Sequence, residues 1–128
     1  MVNYKARIKR KRLDEYAGEA FRDENAAIVK HLNNAGKKAL FGIQQADGMY
    51  TIVGEDTVYY LSPSGKFGEI PLGDFLKLLK DHAYRLGRTG VFDFLPIDDS
   101  EQVWLKDART MSVMWGIMSL LDDFNNGK

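Results

Sequence analysis

The chain has 128 residues, 45% hydrophobic and 28% charged, with 18 basic and 18 acidic side chains and a formal net charge of zero. This is ordinary globular composition at single-domain size, so residues 1–128 read as one domain able to bury about two thirds of its unfolded surface without a disulfide or metal. The absence of cysteine excludes thiolate catalysis, Cys-ligated zinc and iron–sulfur clusters, and the even charge balance argues against a dedicated nucleic-acid binder.

At the N-terminus, Val2, Tyr4, Ala6 and Ile8 alternate with Asn3, Lys5, Arg7 and Lys9. A period of two predicts a half-buried strand with its bases on one face, with an early helix running through Lys11 as the alternative. No signal-peptide core occupies this end, and the apolar stretch over 113–121 is too short to span a bilayer. The expectation is a cytoplasmic protein with no membrane contact. From Leu13 the spacing changes. Leu13, Ala17, Ala20, Phe21, Ala27, Ile28 and Leu32 recur at three- and four-residue steps, which predicts one long helix to about residue 33, weakened at Gly18.

Short strands follow at 39–44, 49–53, 57–61 and 66–70, separated by Asp47-Gly48, Gly54-Glu55-Asp56 and Ser62-Pro63-Ser64-Gly65. Connections this short force antiparallel pairing. A second helix begins near Pro71 or Leu72, buries Phe75, Leu76, Leu79, Ala83 and Leu86, and stops at Gly87-Arg88-Thr89-Gly90. Two further strands, 91–95 and 102–105, flank the acidic turn Asp98-Asp99-Ser100-Glu101. A third helix runs from Ala108, capped by Asp107, to Phe124. The expected class is therefore α+β, with about five or six short, mostly antiparallel strands packed against three helices: a long N-terminal one, a middle one and a strongly apolar C-terminal one.

Chemistry has few footholds. Ser62-Pro63-Ser64-Gly65-Lys66-Phe67-Gly68 lacks the G-x-x-x-x-G-K-[ST] spacing of a phosphate loop and reads as a hairpin turn. His31 and His82 are the only histidines, and neither has a second ligand one helical turn away, so no metal site is expected. Either could serve as an acid–base group in a metal-independent nuclease or hydrolase if the sheet brought it a Glu, Tyr, Arg or Lys. The plain alternative is a boundary histidine that packs its ring. No G-x-S-x-G elbow surrounds any serine, and no cofactor is implied. The acidic groups at Asp98-Asp99-Glu101 and Asp122-Asp123 lack a calcium-loop pattern and read as solvated surface.

Two surfaces carry more weight. Lys5, Arg7, Lys9, Arg10, Lys11 and Arg12 occur without an intervening acid and could meet phosphates, an acidic protein, or the chain's own Asp14, Glu15, Glu19, Asp23 and Glu24. In the third helix, Met111, Val113, Met114, Trp115, Ile117, Met118, Leu120, Leu121 and Phe124 cover most of the circumference, leaving the narrow line Ser112, Gly116 and Ser119. That composition suits a central core helix or one covered by another chain, with Trp104, Met111, Met114, Trp115 and Met118 as interface residues. The functional expectation is a non-catalytic protein-binding module, of the inhibitor, immunity or regulatory accessory kind, with self-association as one version of its partner. Nucleic-acid association through the basic segment comes second and a small enzyme third.

Overall fold

The computed structural model describes residues 3–87, 92–98 and 101–127. Val2, the Arg88-Thr89-Gly90 stop, Val91, and Asp99 and Ser100 of the acidic turn lie outside the described residues.

The N-terminal alternation resolves as a helix, α1 (Tyr4–Lys11), and the strand expectation is overturned. Tyr4 and Ile8 stand one helical turn apart and are both buried, so the apolar positions that mark a strand face also fit a helix stripe. The Asn3 side chain accepts a hydrogen bond from the Ala6 N–H at 3.1 Å. Lys9, Arg10 and Lys11 occupy the last turn, where cations meet the negative end of the helix dipole. These local terms decide for the helix.

The single long helix expected after Leu13 is also overturned. Arg12 adopts a left-handed conformation at φ 59° and closes α1. A five-residue helix, α2 (Leu13–Ala17), follows and buries Leu13 and Ala17. Gly18 then turns the chain at φ 59°, through a short 3-10 turn (Gly18–Ala20). Next, Phe21 and Arg22 leave helical geometry altogether to form β1 (Phe21–Arg22), opposite Ile43 and Gly42. Only after Asp23 accepts a bond from the Asn25 N–H at 2.9 Å does α3 (Ala27–Asn34) begin. Five α-helices, rather than three, thus occur among the described residues.

Strands β2 (Ala39–Gln44), β3 (Tyr50–Gly54), β4 (Thr57–Leu61) and β5 (Phe67–Pro71) complete an antiparallel sheet in the order β1-β2-β3-β4-β5. Gly48 makes the β2–β3 turn at φ 101°, and the Asp47 carboxylate there accepts the Met49 N–H at 3.0 Å. After α4 (Leu72–Leu86), β6 (Phe94–Pro96) and β7 (Gln102–Trp104) form a separate two-stranded hairpin, and α5 (Ala108–Asn125) ends the fold. The class is α+β with an antiparallel sheet.

One face of the sheet, carrying Phe41, Ile43, Val53, Val58, Tyr60 and Ile70, packs into the main core with α1, α2, α4, α5 and the hairpin. Among the described residues the other face is covered by α3, with Val29 and Leu32 over Ala39, Tyr50, Ile52 and Tyr59. The Asn33 side chain clamps α3 to the sheet, accepting the Ala39 N–H at 2.7 Å and donating to its carbonyl at 3.1 Å.

The C-terminal helix is not apolar around its circumference, which corrects the sequence expectation. It buries one stripe, Thr110, Met111, Met114, Ile117, Met118 and Leu121. Ser112, Gly116, Asp123, Phe124 and Asn125 are exposed, with Val113, Trp115 and Leu120 half-buried between. Helices α1, α2 and α4 all contact it, and these neighbours cover flanks that the sequence alone left without a partner. The Asp107 cap forms as expected, accepting the Thr110 N–H at 2.8 Å.

Candidate functional site

The basic segment lies on a helix, so its charges radiate from α1 instead of lining a strand. Lys5 is committed to Glu24, at 2.6 Å, and Arg12 approaches Glu15 at 3.9 Å. The hydrogen bond to Glu24 raises the Lys5 pKa above the ordinary lysine value. Arg7 is half-buried, while Lys9, Arg10 and Lys11 are exposed. Beneath Lys5 and Lys9 a groove of about 260 Å³ is lined by Asp14, Asp23 and Glu24 and floored by Tyr4 and Phe41. Tyr4 stacks on Phe41 with ring centroids 5.8 Å apart, and burial, then Glu24, raise its pKa. Three acids beside two lysines make this a mixed-charge surface, with part of the basic charge spent internally.

His31 and His82 sit in different environments. His31 is exposed on α3 and lines a groove of about 470 Å³ with Lys37, Tyr50, Tyr59, Phe67 and Glu69. Lys37 and Glu69 are paired at 2.8 Å. Tyr50 tilts against Phe67 at 6.4 Å and 44°, and burial, then Glu69, raise the Tyr50 pKa. That hydroxyl therefore stays protonated at neutral pH and cannot act as a base there. His82 packs edge-on against Phe92 at 5.8 Å and 86°. Its Nε2 is buried with no hydrogen-bond partner among the described residues. Burial, then Arg85, lower its pKa against a hydrogen bond to the Phe94 backbone, and the net shift favours the uncharged ring. The fold does not bring the two histidines together. No group of three or more His, Asp or Glu that could hold a metal occurs among the described residues.

Trp104, Met111, Met114 and Met118 are buried in the main core, and Trp115 packs half-buried against it. Within one chain these side chains are already covered. The aromatic surface lies elsewhere. Phe67 is 74% exposed, at the start of the edge strand β5 and opposite Leu61. The sequence places Phe67 in the expected strand over 66–70, but the phosphate-loop and turn readings of Ser62–Gly68 leave its ring without a predicted face. The signal was the pairing itself: a hairpin closing at Ser62 and Lys66, 2.9 Å apart, puts Phe67 beside Leu61 on the thinly covered face. Tyr84, 90% exposed, and Phe124, 50% exposed, stand on α4 and α5.

A further groove, of about 550 Å³, opens at the opposite sheet edge, between the α2–β1 segment, the end of β2 and the residues after β7. It holds Tyr16, Glu19, Arg22, Gln44, Trp104 and Lys106. No helix among the described residues is long and apolar enough to cross a membrane. Comparison with protein-family models, curated proteins and solved structures finds no match to this chain.

Proposed function

We propose that the chain is a non-catalytic protein-binding module, of the inhibitor, immunity or regulatory accessory kind, acting in the cytoplasm as one folded unit. Its contact surface is the thinly covered sheet face around Phe67. The observation that carries this reading is the exposure of Phe67 beside the His31–Tyr50–Tyr59 groove. A phenyl ring left largely in water gains little from folding, and its full burial against a partner contributes up to about 1.5–3 kcal/mol. Tyr50 and Tyr59 supply rigid aromatic walls, and the Lys37–Glu69 pair gives the groove a polar rim, which is the common anatomy of a binding hot spot. Self-association through this face is the version in which the partner is a second copy.

The test is stoichiometric capture from the native cell extract with the wild-type chain and with Phe67→Ser. Position 67 is exposed on an edge strand, so the substitution is expected to leave the fold intact, which circular dichroism checks. The expected result is one heterologous protein held by the wild type, and affinity reduced at least about tenfold in the variant. Equal recovery by both forms overturns the surface. Recovery of nucleic acid, lost when Lys9, Arg10 and Lys11 are neutralised, overturns the reading in favour of the basic segment.

A further inference from the structure

The groove at the β1 edge of the sheet contains an arginine whose charge the fold positions but does not neutralise among the described residues. The Arg22 guanidinium donates from Nε to the Gln44 side-chain oxygen at 3.1 Å, and from Nη1 to the Glu19 and Phe21 carbonyls at 2.7 and 2.9 Å. All three acceptors are neutral. Among the described residues Arg22 makes no ion pair, although it is half-buried. A guanidinium has five N–H donors, so the three bonds leave the two on Nη2 uncommitted. The bonds also fix the plane of the group, which lowers the entropy a bound anion must overcome.

Lys106 lines the same groove. Its backbone lies at φ 73°, in the left-handed region that non-glycine residues rarely occupy. The Asp107 N–H closes a turn around it on the Leu105 carbonyl at 3.0 Å, which fixes where the lysine side chain leaves the backbone. Its ammonium bonds Asp107 at 2.9 Å and the Tyr16 carbonyl at 3.4 Å, leaving one N–H free. Trp104, Ala17, Ala20 and Ala46 supply apolar wall beside these donors.

We propose that this groove binds a ligand through a single carboxylate, held between Arg22 Nη2 and Lys106 Nζ. The carboxylates beside the donors weigh against a dianion. Two cations and one acid, Glu19, line the groove, and Asp107 lies against Lys106. A phosphate dianion would leave charge facing both carboxylates. The volume, about 550 Å³, is in the range of small-molecule and peptide-terminus sites. The site lies at the β1 end of the sheet and Phe67 on β5 at the other, so it stands independently of the protein-binding surface.

The carboxylate could belong to a peptide terminus or to a small organic acid, and one NMR titration separates them. The full chain, ¹⁵N-labelled, is titrated with acetyl-Ala-Ala as free acid, with its C-terminal amide, with propionate and with inorganic phosphate. Saturable shifts at Arg22, Gln45 and Lys106 are expected with the free acid and absent with the amide. Binding of the peptide at least tenfold tighter than propionate assigns a peptide terminus. Equal affinity assigns a small acid. Arg22→Gln is expected to weaken binding at least tenfold. Lys106→Gly, at a position whose positive φ glycine adopts freely, is expected to stay folded and to weaken binding at least tenfold. No saturable shift, equal binding of acid and amide, tighter binding of phosphate, or undiminished affinity in Lys106→Gly would each overturn the assignment.

Discussion

Replacing Thr51 by valine tests how the two-stranded hairpin is fastened to the main sheet. Thr51 is 1% exposed, and its hydroxyl donates to the Trp104 carbonyl at 2.5 Å. Within the hairpin Phe94 faces Trp104, and the neighbouring Leu105 N–H bonds the Asp93 carbonyl at 2.7 Å. Antiparallel ladders alternate bonded and non-bonded pairs. The Phe94–Trp104 pair is therefore the non-bonded kind, and the Trp104 carbonyl points away from its own hairpin. Thr51 satisfies it. Valine keeps the shape but removes the donor, leaving a buried carbonyl unpaired at a cost of about 1–3 kcal/mol. For a chain of this size about 2 kcal/mol lowers Tm on the order of 8 °C. The control is Thr51→Ser, which keeps the hydroxyl and removes one methyl, for about 1 kcal/mol. Urea unfolding followed by tryptophan fluorescence should therefore rank serine above valine. Simple burial of apolar surface gives the reverse order, since valine is the more hydrophobic replacement. A valine variant as stable as the wild type would refute the account.

Asp107→Ala removes the α5 cap and should cost about 1 kcal/mol at neutral pH. Burial pushes this carboxyl upward, but the Thr110 N–H and Lys106 outweigh it and hold the pKa below the ordinary value. The contribution is thus present above the unfolded pKa and lost as pH falls through the folded one; an alanine variant with the wild-type acid-unfolding profile would contradict this. For His82 the shift is also downward, from burial and then Arg85, against a hydrogen bond to the Phe94 backbone. The unfolded chain takes the proton more readily, so stability should fall as pH drops through the ordinary histidine range toward the lower folded pKa, a loss that His82→Gln should reduce in chemical denaturation. An unchanged pH slope in that variant would count against the assignment. Gly42→Ala should destabilise by about 3 kcal/mol or more, because the added Cβ would fall inside contact distance of the Thr51 carbonyl oxygen and Ile52 Cα, both backbone atoms. Thermal unfolding measures it, and a variant within a few degrees of the wild-type Tm would show that the strands can separate there.

The sheet was the most legible part of the chain. Strand β4 was readable with the limits it has, Thr57–Leu61, because a run of β-branched and aromatic residues between two turn signals has no helical competitor. Helix α4 was equally clear, since Phe75 and Leu79 repeat at a helical step and Gly87 follows. The first 34 residues were not, and the reason is a collision of periods. Tyr4 and Ile8 satisfy both a strand face and a helix stripe, and Asn3 as cap breaks the tie only once its bond to Ala6 is seen. Further along, the apolar steps from Leu13 to Leu32 persist through Gly18 and through Phe21 and Arg22. Phe21 does bury against the core, but from a strand paired with Ile43. Apolar spacing records which residues go inside; it does not record that the chain changes direction between them.

The same distinction explains why the two surfaces weighed most heavily from sequence gave way to others. Charge density drew attention to Lys5 through Arg12, yet a bridge to Glu24 and placement in a helix's last turn give much of that charge a use within the chain. Apolar density drew attention to α5, whose methionines fill the space between α1, α2 and α4. Density is a property of a segment, whereas availability is a property of the fold. Arg22 is an unremarkable single base in the sequence. It becomes a candidate anchor because residues distant in the chain, Gln44 and Lys106, come to the same groove and none of its hydrogen-bond acceptors carries a negative charge. Phe67 likewise is one ring in a turn-rich stretch until β5 proves to be an edge with α3 above that face. In a chain without a catalytic motif, the residues that merit testing are those whose bonding or burial the fold leaves incomplete.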